Sequence, residues 1–405
     1  MGSGGVCLSC RIRGRPSMVV ILSAFFLLLG LALLEACLHE CRLRRIPIRI
    51  HVNGTRGKST TTRLIAAGLR AGGHRVIAKT TGTLPRIILE DGSEIAVRRR
   101  GRATIREQMT TIALAARRKA DAVVIECMAI HPELQWVSER RMVRATVGVI
   151  TNVRLDHMEV MGRTREAIAR ALSLTIPKEG VLVAGSRDHL NLFAEACARH
   201  GSVLRPAPDH LESDAMAREA AVDFPENTET ALAVCEAVGV DRACALRGMR
   251  DAIPDVGALR VHRTRLDGKR ITFLNAFSLN DVDSLHAVWR RLEQSGSLSR
   301  PHIVILNCRA DRPLRSDAFG ELAGASLGAD RLILVGEATR HACRAAARAG
   351  LDPGRILCCQ GQPPEATFRK VIAEAPDGAT VIGIGNYYGA GEAIAALFVG
   401  GVDVR

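Results

Sequence analysis

The stretch HVNGTRGKSTTTRLIAAGL, residues 51 to 69, decides how the rest of the chain is read. It runs from the end of an apolar strand, RIHV, through a glycine-rich turn into a helix whose apolar spacing is set by Leu64, Ile65, Ala67 and Leu69. Backbone N–H groups of such a turn wrap phosphate oxygens, and the helix N-terminus adds its partial positive charge. In GTRGKST, Lys58 supplies a cation for the β and γ phosphates, and Ser59 a hydroxyl for Mg²⁺. Gly54 and Gly57 allow a backbone path that side chains would block. The generic phosphate-loop pattern has a further glycine where Val52 stands, so the match is partial. A fortuitous Gly/Ser turn is the competing reading; the strand before and the helix after argue for the phosphate loop.

Two later stretches lead to the same place. ADAVVIECMAIHPE, residues 120 to 133, reads as a buried strand, AVVIE, preceded by a helix with Ile105, Met109, Ile112 and Ala116 on one face. Glu126 then stands at the strand's carboxyl end, the edge where open α/β sheets bind ligands. A carboxylate there binds Mg²⁺ directly or through water; taken alone, it reads equally well as a helix-capping or ion-paired acid. A third strand, TVGVITNV (146 to 153), runs into RLDHMEVMGRT and delivers Asn152, Asp156 and His157 to that edge. For His157 a metal or phosphate role competes with a structural one.

At 405 residues the chain exceeds one ordinary core, so two domains and a short appendage are expected. With 47% hydrophobic and 24% charged residues, well mixed and without repeats, it is not a disordered chain. The formal net charge of +14 suits an anionic membrane face or acidic small substrates. Only 3% of residues are aromatic, and no RNP-like or zinc-finger spacing occurs, so nucleic acid is not an expected partner. The twelve cysteines are scattered, which fits reduced thiols in a cytosolic body. Cys7 and Cys10 form a C-x-x-C without a second Cys/His pair to complete a zinc site.

From Met18 to Leu34 the chain carries no charge, just long enough to span a bilayer, with Glu35 near the headgroups. Arg11, Arg13 and Arg15 precede this run, and Arg42, Arg44, Arg45 and Arg49 follow it, which leans towards a cytoplasmic C-terminal side. The alternative is a cleaved signal peptide, with LEAC at 34 to 37 as a loose lipoprotein-like processing site. Export would carry a nucleotide loop away from ATP, so an uncleaved anchor is the expectation.

Taken together, these stretches resemble the Mur-ligase superfamily: GTRGKST as the ATP loop, VIECMA as the strand-end glutamate, TNVRLDHMEVMG as the Asn/His loop. Within it, the sequence is similar to the ligase subunits of poly-γ-glutamate synthases, which are membrane-associated capsule enzymes. GTRGKSTTTRLI, KTTGTLPR, ECMAIHPE, LDHMEVMG, NAFSLNDVDS and NCRADR carry that likeness, which runs from about Ile46 to the C-terminus. The resemblance implies an α/β fold: a Mur-ligase-like P-loop ATPase domain with a parallel sheet (46–257) and a smaller C-terminal Rossmann-like domain (258–405) that binds the incoming amino acid. One N-terminal transmembrane helix within residues 1–45 precedes them.

The resemblance also implies roles. Asn53, Gly54, Thr55, Arg56, Gly57, Lys58, Ser59, Thr60 and Asn152 would surround ATP, with Arg260 of GALRV as a further contact near the domain junction. Ser59, Glu126 and His157 would surround Mg²⁺ or Mn²⁺, and Lys58, Glu126 and His157 would form the catalytic set. Asn280 and Asp281 stand where Mur ligases write an HNPDS-like string, and the departure leaves their separate roles open. Many Mur ligases hold a metal with a carbamylated lysine; here IARALSLTIPK has Ala171 and Leu172 near that place and only Lys178 later. Peptidoglycan Mur ligases have a full domain before the ATP loop, and so a UDP-muramyl acceptor is not expected.

Beyond residue 258 the strand pattern restarts with HIVILN (302 to 307), RLILV (331 to 335) and TVIGIG (380 to 385). In NCRADRPLR, Arg309, Asp311 and Arg312 follow a strand; a guanidinium there pairs with a glutamate carboxylate, or the three form a surface salt-bridge cluster. Lys79, Thr80 and Thr81 of the KTTGT loop are expected to face the acceptor carboxylate, and Cys127 reads as a packed core thiol. The implied activity is an ATP-dependent amide ligase that polymerises glutamate through an acyl phosphate. Its expected partners are the growing poly-γ-glutamate chain and small integral membrane subunits, in an oligomer held at the cell membrane with a cytoplasmic catalytic body. A folylpolyglutamate synthase-like ligase and a P-loop ATPase energising export are the rival readings.

Overall fold

The computed structural model describes residues 18–82, 84–99, 101, 103–208, 225–253, 259–279, 282–294, 296 and 298–400. Eight strands form the first sheet: β1 (Ile48–Asn53), β2 (Val76–Lys79), β3 (Arg86–Ile88), β4 (Glu94–Ala96), β5 (Ala122–Glu126), β6 (Val147–Ile150), β7 (Val181–Ala184) and β8 (Val203–Pro206). Their spatial order is β4-β3-β2-β5-β1-β6-β7-β8. The β2–β3 and β3–β4 pairings are antiparallel, and the other five are parallel.

β5 and β6 are buried along their whole length, as expected of parallel strands covered on both faces, and their runs AVVIE and VGVI are rich in branched apolar residues. The chain leaves β1 towards β2 on one side and later returns as β6 on the other, so the carboxyl end of β1 is a topological switch point. Register fixes what meets there: Val52 lies opposite Glu126, and Asn53 opposite Ile150.

Two local expectations shift. The strand expected over 146 to 153 stops at Ile150, because the backbone beyond it binds the turn after β1. Thr151 N–H donates to the Asn53 carbonyl at 3.0 Å, and the Asn152 carbonyl accepts from Thr55 N–H at 3.1 Å. The helix before β5 begins at Glu107, which leaves Ile105 in the preceding turn. Its buried face is therefore Gln108, Thr111, Ile112 and Ala115, joined by Ala116.

The second sheet has six strands: β9 (Arg260–Leu266), β10 (Lys269–Asn275), β11 (His302–Cys308), β12 (Arg331–Gly336), β13 (Ile356–Cys358) and β14 (Thr380–Gly385). Their order is β13-β12-β11-β14-β10-β9, parallel except for the β9–β10 hairpin. The expected domain boundary at 257/258 falls among residues 254–258, outside the described residues. Among the described residues each buried apolar cluster draws on one side of that gap: three lie at or before Ala252, and two at or after Leu259. The ten cysteines among the described residues are free thiols.

The N-terminal helix Met18–Arg44 is long and apolar enough to cross a membrane. Its last turns enter the first domain's core, where Leu43 clusters with Ile112, Ala115 and Val143. His39 Nε2 lies 2.8 Å from the Met142 carbonyl oxygen, and Glu40 pairs with Arg144.

Met142 belongs to a π-helical turn, Ser138–Val143, that also holds a buried ion pair. Glu139 Oε2 lies 2.8 Å from His51 Nδ1 of β1, both side chains at 1% exposure or less, and its other oxygen accepts Ala145 N–H. Burial opposes charge on His51, but Cys127 and the Glu139 carboxylate outweigh it and hold its pKa at about 10. Breaking such a pair leaves an uncompensated buried charge, so Glu139→Gln is expected to lower unfolding free energy by roughly 3–5 kcal/mol in denaturant titrations of the detergent-solubilised chain. His51 binds its proton more tightly when folded. Its stabilisation is thus complete below the unfolded pKa of about 6.5 and is lost as pH rises towards about 10. The denaturation midpoint should fall over that window, and less so in Glu139→Gln.

Candidate active site

A cavity of about 1150 Å³ lies between the two sheets, lined from the first by the turns after β1, β5 and β6 and from the second by the ends of β11 and β14. Ten Arg or Lys residues line it against four Asp or Glu, so it is built for anions.

The turn after β1 leads into helix Lys58–Ala71 and needs both of its glycines. Gly54 has φ +131° and Gly57 φ +77°, and a side chain on either would collide, with Thr151 or with Asn227. Asn152 holds the turn in shape. Its side-chain oxygen accepts from Thr55 Oγ1 at 2.6 Å and from Arg56 N–H at 3.1 Å, while its amide donates to the Arg56 carbonyl at 3.2 Å. Thr151 Oγ1 donates to that same carbonyl at 2.6 Å. Asn53, at the end of β1, is 2% exposed and donates to Gln135 and Thr175. Asn53 and Asn152 thus brace the loop, and both line the cavity together with Gly54 to Thr60.

Lys58 donates to the loop's own carbonyls, Gly54 at 2.8 Å and Thr55 at 3.1 Å. Burial pulls its pKa below the usual lysine range, helped by Arg56 and opposed by Glu126 and Asp156. Ser59 Oγ donates to Glu126 Oε2 at 2.8 Å, and the Thr81 N–H donates to the same oxygen at 2.6 Å. A carboxylate 3% exposed, with these neutral donors and a neighbouring hydroxyl, forms a hard-oxygen pair that fits a Mg²⁺ or Mn²⁺ ion retaining most of its own waters.

His157 lines the same cavity from the loop after β6, at φ +46°, flanked by Asp156 at 3.8 Å and Glu159 at 3.6 Å. Among the described residues no group of three His, Cys, Asp or Glu side chains is arranged to hold a metal, and His157 and Glu126 both line the cavity. Lys178 is 73% exposed beside Glu179 and does not line the cavity, so it offers no substitute for a carbamylated lysine.

The KTTGT expectation divides. Thr81 lines the cavity, but Lys79 and Thr80 do not. Lys79 is 1% exposed with its ammonium 3.1 Å from Glu107, and burial lowers its pKa against that partner. Thr80 Oγ1 accepts the Arg86 N–H at 3.1 Å. Lys79 therefore serves the packing of β2 on helix Glu107–Arg117 and faces no acceptor carboxylate.

From the second sheet, Arg309 and Arg312 line the cavity, while Asp311 holds Arg309 through two 2.8 Å hydrogen bonds outside the lining. Sequence reading missed Arg315, one helical turn further on, which donates to Asn386 Oδ1 at 3.0 Å. Asn386 is itself gripped by Asn307 at the end of β11, whose amide donates to the Asn386 and Tyr388 carbonyls. Asn227, on helix Pro225–Val238, was also missed; it closes on Gly57 and accepts from Thr61 at 3.4 Å. Arg260 begins β9, opposite Asn275, but its side chain, like Asn280 and Asp281, lies outside the described residues. The neighbouring Ser278, Leu279 and His286 do line the cavity.

Comparison with known proteins matches residues 52–222 to the Mur ligase middle domain and residues 261–400 to the poly-gamma-glutamate synthase CapB C-terminal domain. The chain is 34% identical over 399 residues to the capsule biosynthesis protein CapB of Bacillus anthracis, covering 96% of this chain and 85% of that one. It is 32% identical over 378 residues to the PGA synthase CapB of Bacillus subtilis, covering 93% and 95%. Among solved structures it is similar to the Yersinia pestis bifunctional folylpolyglutamate synthase/dihydrofolate synthase complexed with AMPPNP and Mn. That match has a TM-score of 0.67 and 19% identity over 90% of this chain and 92% of that one. It is also similar to MurF of Acinetobacter baumannii, with a TM-score of 0.65 and 17% identity over 92% and 80%. At these identities the solved structures speak for the fold, a two-sheet Mur-ligase architecture. The sequence relatives go further: the chain belongs to the CapB family of poly-γ-glutamate synthases, ligases of the Mur type.

Proposed function

We propose that the chain joins glutamate units into poly-γ-glutamate at the expense of ATP, in the cavity between its two sheets. The observation that carries this reading is the meeting, in one cavity, of a phosphate loop with a Ser59–Glu126 pair and of Arg309, Arg312 and Arg315 from the facing sheet. One wall suits a nucleotide triphosphate, and the other suits the carboxylates of an incoming amino acid. Residues 46–257 then act as the ATP-binding domain, and 258–405 as the amino-acid domain.

An amine does not displace oxide from a carboxylate at a useful rate, so the carboxyl oxygen must first become part of a good leaving group. A carboxylate oxygen of the growing chain attacks the γ-phosphorus, the bond to the β–γ bridging oxygen breaks, and ADP departs from an acyl phosphate. The neutral amine of the next glutamate attacks the acyl carbon, phosphate leaves with the C–O electron pair, and the nitrogen gives up its surplus proton. The protein contributes positioning and countercharge. Lys58 and the loop N–H groups hold the transferring phosphoryl group, while Ser59 and Glu126 would hold a divalent cation that neutralises phosphate charge. His157 stands on the same wall, within the cavity that such a cation would share. The arginines of the second sheet orient the amino acid.

The apolar helix Met18–Arg44 supports a single-pass anchor; the arginines that follow the apolar run lean towards a catalytic body on the cytoplasmic side, and membrane-embedded subunits and an oligomer complete the proposal.

Phosphate release from membranes containing the chain, supplied with ATP, Mg²⁺ and L- or D-glutamate, tests the reading. Release stimulated by glutamate and accompanied by an acidic polymer supports it; glutamate-independent hydrolysis assigns an export ATPase, and dependence on a pterin acceptor assigns a folate-type ligase. Lys58→Ala should cut the glutamate-dependent rate by about 10²–10³-fold. Asn152→Ala, which frees the loop without removing a cavity cation, should lower kcat/KM for ATP by about 10- to 100-fold with little change in Tm. Chelation by EDTA should abolish release, and added Mg²⁺ or Mn²⁺ should restore it.

A further inference from the structure

The segment between β4 and helix Glu107–Arg117 ties the cavity to the foot of the N-terminal helix. At one end Arg99 and Ala103 line the cavity, and Arg99 grips Glu107 with hydrogen bonds of 2.8 and 3.1 Å. At the other end Arg106 pairs with Glu35, the first charged residue after the uncharged run from Met18 to Leu34. Glu35 therefore marks the level at which the helix leaves the hydrocarbon, and Arg106 stands at that level.

The two helices run side by side in the same direction. Arg106 meets Glu35, and further along Leu43 shares a buried core with Ile112 and Ala115. At 1.5 Å per residue, 35 to 43 and 106 to 115 span about 12 and about 13.5 Å, so the matching contacts fall at matching heights. Helix Glu107–Arg117 thus presents its N-terminus, with its partial positive charge, towards the membrane. Arg98, next in the chain to the Arg99 that grips Glu107, is exposed, and Arg106 stays 69% exposed despite its partner.

We infer that Arg98 and Arg106 seat the catalytic body on the anionic lipid headgroups by meeting the phosphates, with Arg99 linking that seat to the cavity wall. The inference rests on the reading of Met18–Leu34 as a membrane span. Arginines at a bilayer surface of negative potential gain several-fold in affinity each, and the effect fades within a Debye length, which makes the height set by Glu35 decisive. The ion pair between Arg106 and Glu35 is exposed and contributes little, so the helix stays docked through His39, Leu43 and Glu40 when it is lost.

Amide hydrogen exchange of the full chain, reconstituted in nanodiscs, tests this directly. In an equimolar phosphatidylglycerol and phosphatidylcholine bilayer, peptides covering 97–106 should exchange about fivefold more slowly than in pure phosphatidylcholine, while β5 peptides are unchanged. The difference should vanish in Arg98→Glu/Arg106→Glu. Equal exchange of the parent chain in the two bilayers overturns the inference, whatever the variant does. So does a lipid effect that survives the charge reversal, or protection that requires added polyglutamate in place of anionic lipid. Alkaline carbonate extraction, run in parallel, reads the span itself: release of the chain would remove the premise, whereas a retained chain with equal exchange would refute the seat alone. Neither readout depends on catalysis.

Discussion

Everything at the candidate site depends on β1 being flanked by β5 on one side and β6 on the other, in parallel and in register. That pairing puts three strand ends within reach of one another, and polar residues with a task stand at the ends of β1 and β5 and just beyond the end of β6. Val52 opposite Glu126 sets the carboxylate beside the start of the helix that carries Ser59, and their 2.8 Å hydrogen bond follows. Asn53 opposite Ile150 sets Thr151 and Asn152 against the glycine turn, whose shape they fix. A slip of one residue in either pairing would turn Glu126 or Asn152 to the other face of the sheet.

Beneath that edge, residues 132–144 act as a common support. Gln135 accepts from Asn53, Glu139 holds His51, the Met142 carbonyl faces His39 of the N-terminal helix, and Arg144 pairs with Glu40. One short stretch of helix and π-helix thus touches the nucleotide loop's base and the foot of the N-terminal helix. The irregular π turn lets successive side chains serve both, a use for which such turns are suited.

How much of this was legible in the sequence depended on whether a residue's task was set locally. AVVIE and TVIGIG, as buried apolar runs, announced strands whose bounds the structure reproduces, and Glu126 followed from its place at a strand end. Asn227 could not be read so, since it meets Gly57 only through packing of a helix about 170 residues later. Arg315 was hidden among many arginines; its selection rests on Asn386, brought to it by the β11–β14 pairing. Lys79 beside three threonines suggested an anion site, but Glu107, 28 residues on, occupies it. TVGVITNV was overextended because the hydrogen bonds that end the strand belong to another segment of chain.

The separation of the apolar clusters at residues 254–258 has a mechanical meaning. Between the sheets lies a space walled by charge, and among the described residues no buried cluster spans it. Drawing the two walls together or apart exposes no core, so such a motion carries little heat-capacity change and is governed by Coulomb forces. The lining carries ten cations and four acids, with cations on both walls, so anionic reactants supply the countercharge that lets the walls approach. Substrate is then the clasp as well as the cargo, and its grip loosens as salt shortens the screening length.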